Sequence, residues 1–338
     1  MGRNSKVKTL LIDGENLFKI GLFGVKDYYH NEKHVGAIWH FLNTIQKFIE
    51  DHNLDKVMVF WDGDENRSSR RLLYPQYKLN RRERVRTYDQ ESYDYQRQRI
   101  KQYMEELFVR QVEIDGNEAD DLIAYYCQIS TNEEKIIYSG DVDLTQLISE
   151  DVSVYSPILK TMYKVGDKVK IDKVYIPHYN ILTYKVLSGD KSDNIDGIYY
   201  LGEKNIIKLF PEILEIKITI NDILDKANKL ILEDKKNNSL KNLLSGKTKS
   251  GIFGEEFFKI SNKIIDLFNP LINEDGKNVV EMYYKEVLDP DGRGYKNAMK
   301  MMMEDGLFKY LPKRDNAWVE FLKPFLKLTR KEKRKYNN

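Results

Sequence analysis

One cysteine stands in 338 residues, so no internal disulfide can form and a cysteine-rich metal site is excluded. Cys127 lies in an apolar helical stretch and reads as core, not as a nucleophile. Long apolar runs are also missing: nothing approaches the ~20 residues that a membrane-spanning helix needs. The opening MGRNSKVKTLLIDGEN has no apolar segment ahead of a small-residue cleavage site. A cytoplasmic protein with no membrane partner is therefore expected, in the host cytoplasm if the source is viral. Histidine is scarce; His30 and His34 are four apart but sit in a polar stretch and read as surface. No repeat at solenoid periods is present. Gly246-Lys247-Thr248 ends like a phosphate-binding loop, but Lys241 stands where its first glycine belongs and no strand precedes it. Nucleotide binding there is excluded. A large net charge is missing as well, since 55 basic residues face 53 acidic ones.

The balance hides an uneven distribution. Arg67, Arg70, Arg71, Lys78, Arg81, Arg82, Arg84 and Arg86 crowd one segment against a single acid, Glu83, and the tail from Lys327 to Lys335 is also basic. Acids gather in short loops after apolar runs. Basic segments beside acidic clusters point to a polyanion held over metal ions. With 41% apolar and 32% charged residues, the chain reads as soluble and globular, with one large or two smaller domains.

Val7–Ile12, Val57–Trp61 and Ile136–Ser139 read as buried parallel strands, each followed by Asp-Gly or Gly-Asp. Helical periodicity over Ala37–Ile49 and Ala119–Ile129 separates them, so the fold class is α/β with a central, mostly parallel sheet. Val152–Val169 reads as a further strand and a hairpin with YKVGDKVK as its turn. Beyond about residue 180 the pattern is helical, with apolar stripes at Ile206–Phe210, Ile223–Leu232 and Phe257–Phe268. The expected division is an α/β domain over 1–178 and a helical region over 179–338.

Sites in such sheets form at the carboxyl ends of strands, where Asp13, Asp62 and Asp141 fall. Glu118, Asp120 and Asp121 open a helix, at the positive end of its dipole. Asp143 follows Asp141 by two residues, and Asp190 and Asp193 are three apart. Any one of these could be a helix cap or a turn residue. The whole set, with no histidine or cysteine companion, suits magnesium or manganese, which take oxygen ligands. Two such ions can activate a water and stabilise the leaving oxygen of a phosphodiester.

The order of these segments resembles the 5′-nuclease family of flap endonucleases and 5′–3′ exonucleases, including phage enzymes with RNase H activity. The matching segments are LLIDGENL around Asp13, FWDGDENRSSRRLLYPQYKLNRR from Phe60, GNEADDLIAYY from Gly116, YSGDVDLTQL from Tyr138 and LSGDKSDNIDGIYYLGEK from Leu187. The resemblance covers residues 7 to about 210 and implies a PIN-like core, a helical arch, a helix–three-turn–helix element and a helical C-terminal region. Asp13, Asp62, Glu118, Asp120 and Asp141 would gather at one metal. Asp143, Asp190 and Asp193 would serve a second, with Asp141 near both and Asp121 in either shell. The implied ions are two magnesium, with manganese as substitute, and a potassium ion at the hairpin.

YPQYKLNRR matches the entry to the arch, and Lys78 and Arg81 match the cations that face the scissile phosphate. Arg70, Arg71, Tyr77, Arg82 and Arg84 would contact DNA, and Tyr74, Tyr77, Tyr88, Tyr93 and Tyr95 offer faces on which bases could stack. Gly197, Gly202 and Lys204 match the duplex grip of the helix–three-turn–helix element. Asp196 stands there in place of proline and Tyr200 in place of glycine, and both departures weaken that grip. Implied substrates are DNA with 5′ flaps, nicks or gaps and RNA primers on DNA, as in replication primer removal. A single-strand-binding protein is the protein partner considered, and a monomer is expected. The rivals are a non-catalytic DNA-structure-binding protein on the same fold, which would break the carboxylate set, and a PIN-type ribonuclease, which would lack the arch and the duplex element. The resemblance does not rank flap cutting, exonuclease and RNase H action.

If the carboxylates hold metal, a chelator abolishes cutting. Asp141→Asn removes most of it yet preserves or tightens flap-DNA binding, because one negative charge near phosphate is gone. Cutting assays beside a binding titration check this, and equal cutting by Asp141→Asn and the unaltered protein would overturn it.

Overall fold

The computed structural model describes residues 6–81, 88–251, 254–289 and 291–336, with backbone alone for 331–336. The chain forms two compact units, and neither is continuous in sequence. The first contains Met1–Asp64, Arg86–Gly140 and Ile272–Asn338; the second contains Glu65–Val85 and Asp141–Leu271.

Four parallel strands form the centre of the first unit: β1 (Val7–Asp13), β4 (Lys56–Asp62), β5 (Arg110–Ile114) and β6 (Glu133–Tyr138), in the order β5-β4-β1-β6. Leu10, Leu11, Ile12, Val57, Val59, Phe60 and Trp61 are fully buried, as expected for strands covered on both faces. Around them lie α1 (Gly14–Gly24), α2 (Gly36–His52), α4 (Gln90–Glu106), α5 (Ala119–Ile129), α11 (Glu274–Lys285), α12 (Tyr295–Glu304) and α13 (Ala317–Tyr336), with a two-residue ladder of β2 (Tyr29–His30) and β3 (Lys33–His34). The α/β expectation with a mostly parallel sheet holds. Each Asp-Gly pair at a strand end has a steric reason. A Cβ on Gly14 would meet the Trp61 ring at 2.6 Å, and one on Gly63 would meet the Ile114 carbonyl oxygen at 2.0 Å.

The second unit contains α3 (Ser68–Leu73) and two antiparallel hairpins, β7 (Val152–Ser156) with β8 (Thr161–Tyr163) and β9 (Lys168–Ile171) with β10 (Val174–Pro177). Then come α6 (Ile181–Ser188), the short ladder of β11 (Gly189–Asp190) and β12 (Ile195–Asp196), α7 (Glu203–Leu209), α8 (Ile220–Glu233), α9 (Asn238–Leu244) and α10 (Glu255–Ile265). YKVGDKVK was expected to turn one hairpin; instead it joins two, because β8 pairs back to β7 and β9 forward to β10. The segment from α6 through the β11–β12 turns to α7 is the helix–turn–helix arrangement expected after residue 180.

The expected division at 178 differs from the cut made by packing. α11 packs on α5 and β5, α12 on α4, and α13 on α2, so the last helices belong with the first strands. Two polar clamps seat α4 in the first unit. Glu15 accepts from Tyr93 Oη at 2.7 Å and Arg97 Nε at 2.7 Å, and Arg97 also pairs with Glu113 at 2.8 Å. Burial pushes the Glu15 carboxyl up, but Lys19, Arg97 and Tyr93 more than offset this and hold it below its ordinary value. On a second stripe of the same helix, Tyr95 Oη at 2.9 Å, Tyr103 Oη at 2.7 Å and Arg99 Nε at 2.8 Å donate to Asp305, which is only 3% exposed.

Removing one partner of a buried ion pair leaves the others unpaired, so Asp305→Ala should cost about 3–5 kcal/mol of stability. Arg314→Ala, which loses only an exposed pair with Glu320, should change stability by less than about 0.5 kcal/mol. Urea unfolding of both variants measures the contrast, and equal effects would mean that the Asp305 cluster anchors nothing.

Candidate metal centre

In the first unit five candidate carboxylates lie at or beyond the carboxyl ends of parallel strands. Asp13 closes β1 and caps α1: its Oδ1 accepts from Asn16 N at 3.0 Å and its Oδ2 from Ser139 Oγ at 2.9 Å. Asp62 closes β4, and its Oδ1 accepts from Ala119 N at 3.0 Å. That bond ties the end of β4 to the start of α5, where Glu118 is the N-cap residue and Asp120 and Asp121 occupy the first turn. Glu118 and Asp121 are buried and Asp120 is half-buried. The parallel register thus places Asp13 and Asp62 on neighbouring strand ends, and an amide of α1 and one of α5 offset part of their charge. No three of these five carboxylates come within ligand distance of one another among the described residues.

The second unit does bring three together. Asp143, Asp190 and Asp193 each offer one oxygen, all within 4.8 Å of one another. Asp143 sits in a short 3-10 helix from Val142 to Leu147 capped by Asp141, whose side chain accepts from Asp143 N at 2.9 Å. Asp190 Oδ1 accepts from Ser192 N at 2.8 Å and Ser192 Oγ at 2.7 Å, shaping the turn that carries Asp193. Oxygen-only donors at this separation fit a hard divalent cation. Asp141 lies beside this trio without joining it.

Cations face the trio from two sides. Arg81 donates to Asp193 Oδ1 at 2.8 Å and Lys78 Nζ lies 3.6 Å from Asp193 Oδ2. Lys185, which sequence reasoning missed, pairs with Asp143 Oδ1 at 2.5 Å and donates to Asp190 Oδ2 at 2.7 Å. Burial pushes the Asp143 carboxyl well above its ordinary range, helped by Asp141 and Asp190 and opposed by Lys185. Burial acts likewise on Asp190, but Lys185 and Ser192 win and hold it at about 2. The available signal for Lys185 was a lone lysine within the apolar run ILTYKVL just before Ser188-Gly189-Asp190.

Other candidates need correction. Arg70 is 5% exposed, and its Nε donates to the Ile264 carbonyl at 3.1 Å, so it ties α3 to α10 instead of facing DNA. Tyr77 is 2% exposed, with its hydroxyl 3.2 Å from Asp193 Oδ2 and its ring under Lys78, and Tyr74 is also buried. Neither ring offers a face for a base. Arg71 is half-buried and donates to the Tyr77 carbonyl at 3.2 Å. Arg82 and Arg84 lie outside the described residues. Tyr88 and Tyr93 stack on each other with centroids 4.9 Å apart. Cys127, expected in the core, is half-buried, and desolvation pushes its thiol up to about 12.

At the turn between α6 and α7, Gly202 and Lys204 are exposed. Gly197 serves packing: a Cβ there would meet the Ser188 carbonyl carbon at 2.2 Å. Asp196 accepts from Ser250 N at 2.8 Å and so ties the turn to the following loop. Tyr200 has φ +63° and is 60% exposed, so its backbone is in the left-handed region that favours glycine while its ring stands in solvent. Its carbonyl accepts from Asn205 Nδ2 at 2.8 Å and Ser239 Oγ at 2.7 Å. Lys247, in the segment that ends like a phosphate-binding loop, instead accepts from Tyr199 N through its carbonyl at 2.8 Å.

Residues 8–175 match the family model of the 5′–3′ exonuclease N-terminal resolvase-like domain. A 5′–3′ exonuclease of Halalkalibacterium halodurans is 32% identical over 75% of this chain and 84% of its own length. DNA polymerase I of Bacillus subtilis is 27% identical over 69% of this chain, which spans 27% of that protein. Among solved structures, a bacteriophage T5 5′-exonuclease with bound zinc superposes with a TM-score of 0.57 at 21% identity, over 89% of this chain and 98% of that one. A bacteriophage T5 flap endonuclease in a pseudo-enzyme-product complex with DNA and metal ions superposes with a TM-score of 0.57 at 21% identity, over 96% and 99%. The chain belongs to the 5′–3′ exonuclease family of 5′ nucleases.

Proposed function

We propose that this 5′ nuclease hydrolyses phosphodiesters near the 5′ ends of flap, nicked and RNA-primed duplex DNA with two divalent ions, magnesium by preference. The observation that carries the reading is the trio of Asp143, Asp190 and Asp193 with Lys78 and Arg81 paired to Asp193. Such a set can hold a cation and present fixed positive charge to a phosphate. Support comes also from the relatives, since the bacteriophage T5 proteins are described with divalent metal ions and DNA. As the resemblance implies, Asp13, Asp62, Glu118, Asp120 and Asp141 are proposed to hold one ion and Asp143, Asp190 and Asp193 the other, with Asp141 near both and Asp121 in either shell. Bound ions would supply Lewis acidity toward the phosphate and lower the pKa of the attacking water.

The chain's own residues then have distinct roles. The carboxylates bind and orient; Ser139, Asn16 and the Ala119 amide fix the rotamers of Asp13 and Asp62. Lys78 and Arg81 bring charge to the scissile phosphate, where it counts most as negative charge develops. The turn from Ile195 to Gly202 would grip duplex phosphates without reading sequence. RNase H action and primer removal belong to the same proposal, since an RNA strand presents the same phosphodiester.

A labelled 5′-flap duplex and an RNA-primed duplex, incubated with magnesium or a chelator, test this. Expected are short 5′ products that need metal. Lys78→Ala and Arg81→Ala should lower single-turnover rates by about 10²-fold while binding changes little. Metal-independent cutting or no cutting would overturn the reading, and full single-turnover rates would demote Lys78 and Arg81 to general phosphate contacts.

Tyr200→Gly should tighten binding to duplex-containing substrates and steepen its salt dependence, because backbone can then approach phosphate. The exposed ring and positive φ mean that stability should change by less than about 1 kcal/mol, since relief of left-handed strain offsets the added chain entropy. Duplex titrations beside a melting curve check both, and unchanged duplex affinity in a folded variant would remove Tyr200 from the grip.

A further inference from the structure

Lys185 is a charged side chain inside the acidic trio to which nothing above gives a role. It sits in the last turn of α6 with its side chain only 10% exposed. Its ammonium joins two of the three carboxylates of the ligand group, Asp143 and Asp190. The third, Asp193, is held by Lys78 and Arg81. Lys78, Arg81 and Lys185 therefore offset much of the negative charge of the trio and of the neighbouring Asp141. An ammonium between two carboxylates occupies the space, and makes the contacts, that a divalent ion bridging the same oxygens would need. Both cations there at once would repel strongly, because buried charges are poorly screened.

We infer that Lys185 is a resident counter-ion of the second metal position, bridging Asp143 and Asp190 when the ion is absent and withdrawing when it binds. The inference rests on the reading that this trio holds a divalent ion. It gives Lys185 two opposed effects. The ammonium keeps the carboxylates together in the metal-free protein, because without it Asp143 and Asp190 would be buried and mutually repelling. It also competes with the incoming ion, so the second position fills only at higher metal concentration than the bare carboxylates would require. A lysine suits this role better than an arginine, since a compact ammonium on a flexible stem can leave without breaking a two-pronged contact.

The test uses the full chain, free of DNA, titrated with Mn2+ and followed by electron paramagnetic resonance, with melting curves in chelator and in saturating Mn2+. Lys185→Met removes the charge and keeps the stem. It should melt about 3–5 °C lower than the unaltered protein in chelator, regain that loss in Mn2+, and bind the weaker Mn2+ at least about tenfold more tightly. Lys185→Arg should match the unaltered melting temperature in chelator and bind the weaker Mn2+ less tightly. A folded Lys185→Met with unaltered or weaker Mn2+ affinity overturns the inference and leaves the functional reading standing. No Mn2+ binding by any of the three proteins overturns that reading, and the inference with it. In case Lys185→Met does not fold, nitrogen NMR of the unaltered protein gives the same decision. The slowly exchanging Lys185 ammonium signal should disappear at saturating Mg2+, and its persistence there would overturn the inference.

Discussion

Carboxylates buried close together repel one another more strongly than in water, because little solvent screens them. The two units answer that repulsion differently. In the first, Asp13 and Asp62 end neighbouring parallel strands and accept from backbone amides and a serine hydroxyl, so helix starts supply the compensating positive ends. In the second, whole cations are used: Lys78 and Arg81 on Asp193, Lys185 on Asp143 and Asp190. The amide solution is built from backbone groups at the helix starts. The cation solution is the one that the inferred withdrawal of Lys185 would exchange for a metal ion.

The same logic extends to the scaffold. Helix α4 follows the segment around residue 82 in the chain and is seated through acids, Glu15 on one stripe and Asp305 on another. Each acid gathers a tyrosine hydroxyl and an arginine, so hydrogen bonding and charge compensation come from the same contacts. A helix as polar as α4 has a narrow apolar face, chiefly Ile100, Tyr103 and Met104. Directional bonds therefore fix its position more than area buried does.

Legibility in the sequence varied with the kind of signal. β1, β4 and α5 were readable because their apolar patterns are local and uninterrupted. β5 was not, since RQVEI carries two charges, and the guanidinium of buried Arg110 reaches the Glu286 carbonyl far along the chain. Arg70 and Tyr77 read as surface contacts for the converse reason: their types favour nucleic acid, but their partners, Ile264 and Asp193, are distant in sequence. Tyr200 shows the two sources agreeing. Its departure from glycine was visible in the motif, and the positive φ shows that the backbone still keeps the conformation glycine would take.

By itself the sequence determined the α/β class, the carboxylate inventory and the family. Strand periodicity and acids at strand ends are encoded within a few residues of each other, and five motifs in order need no coordinates to be recognised. The tertiary structure alone decided which carboxylates share ligand distance, which basic residues are buried and which residue neutralises the trio. It also decided that the C-terminal helices pack with the first strands and that Lys185 faces Asp143. These facts depend on contacts between segments far apart in sequence, and a side chain's charge or volume does not record the partner that will meet it.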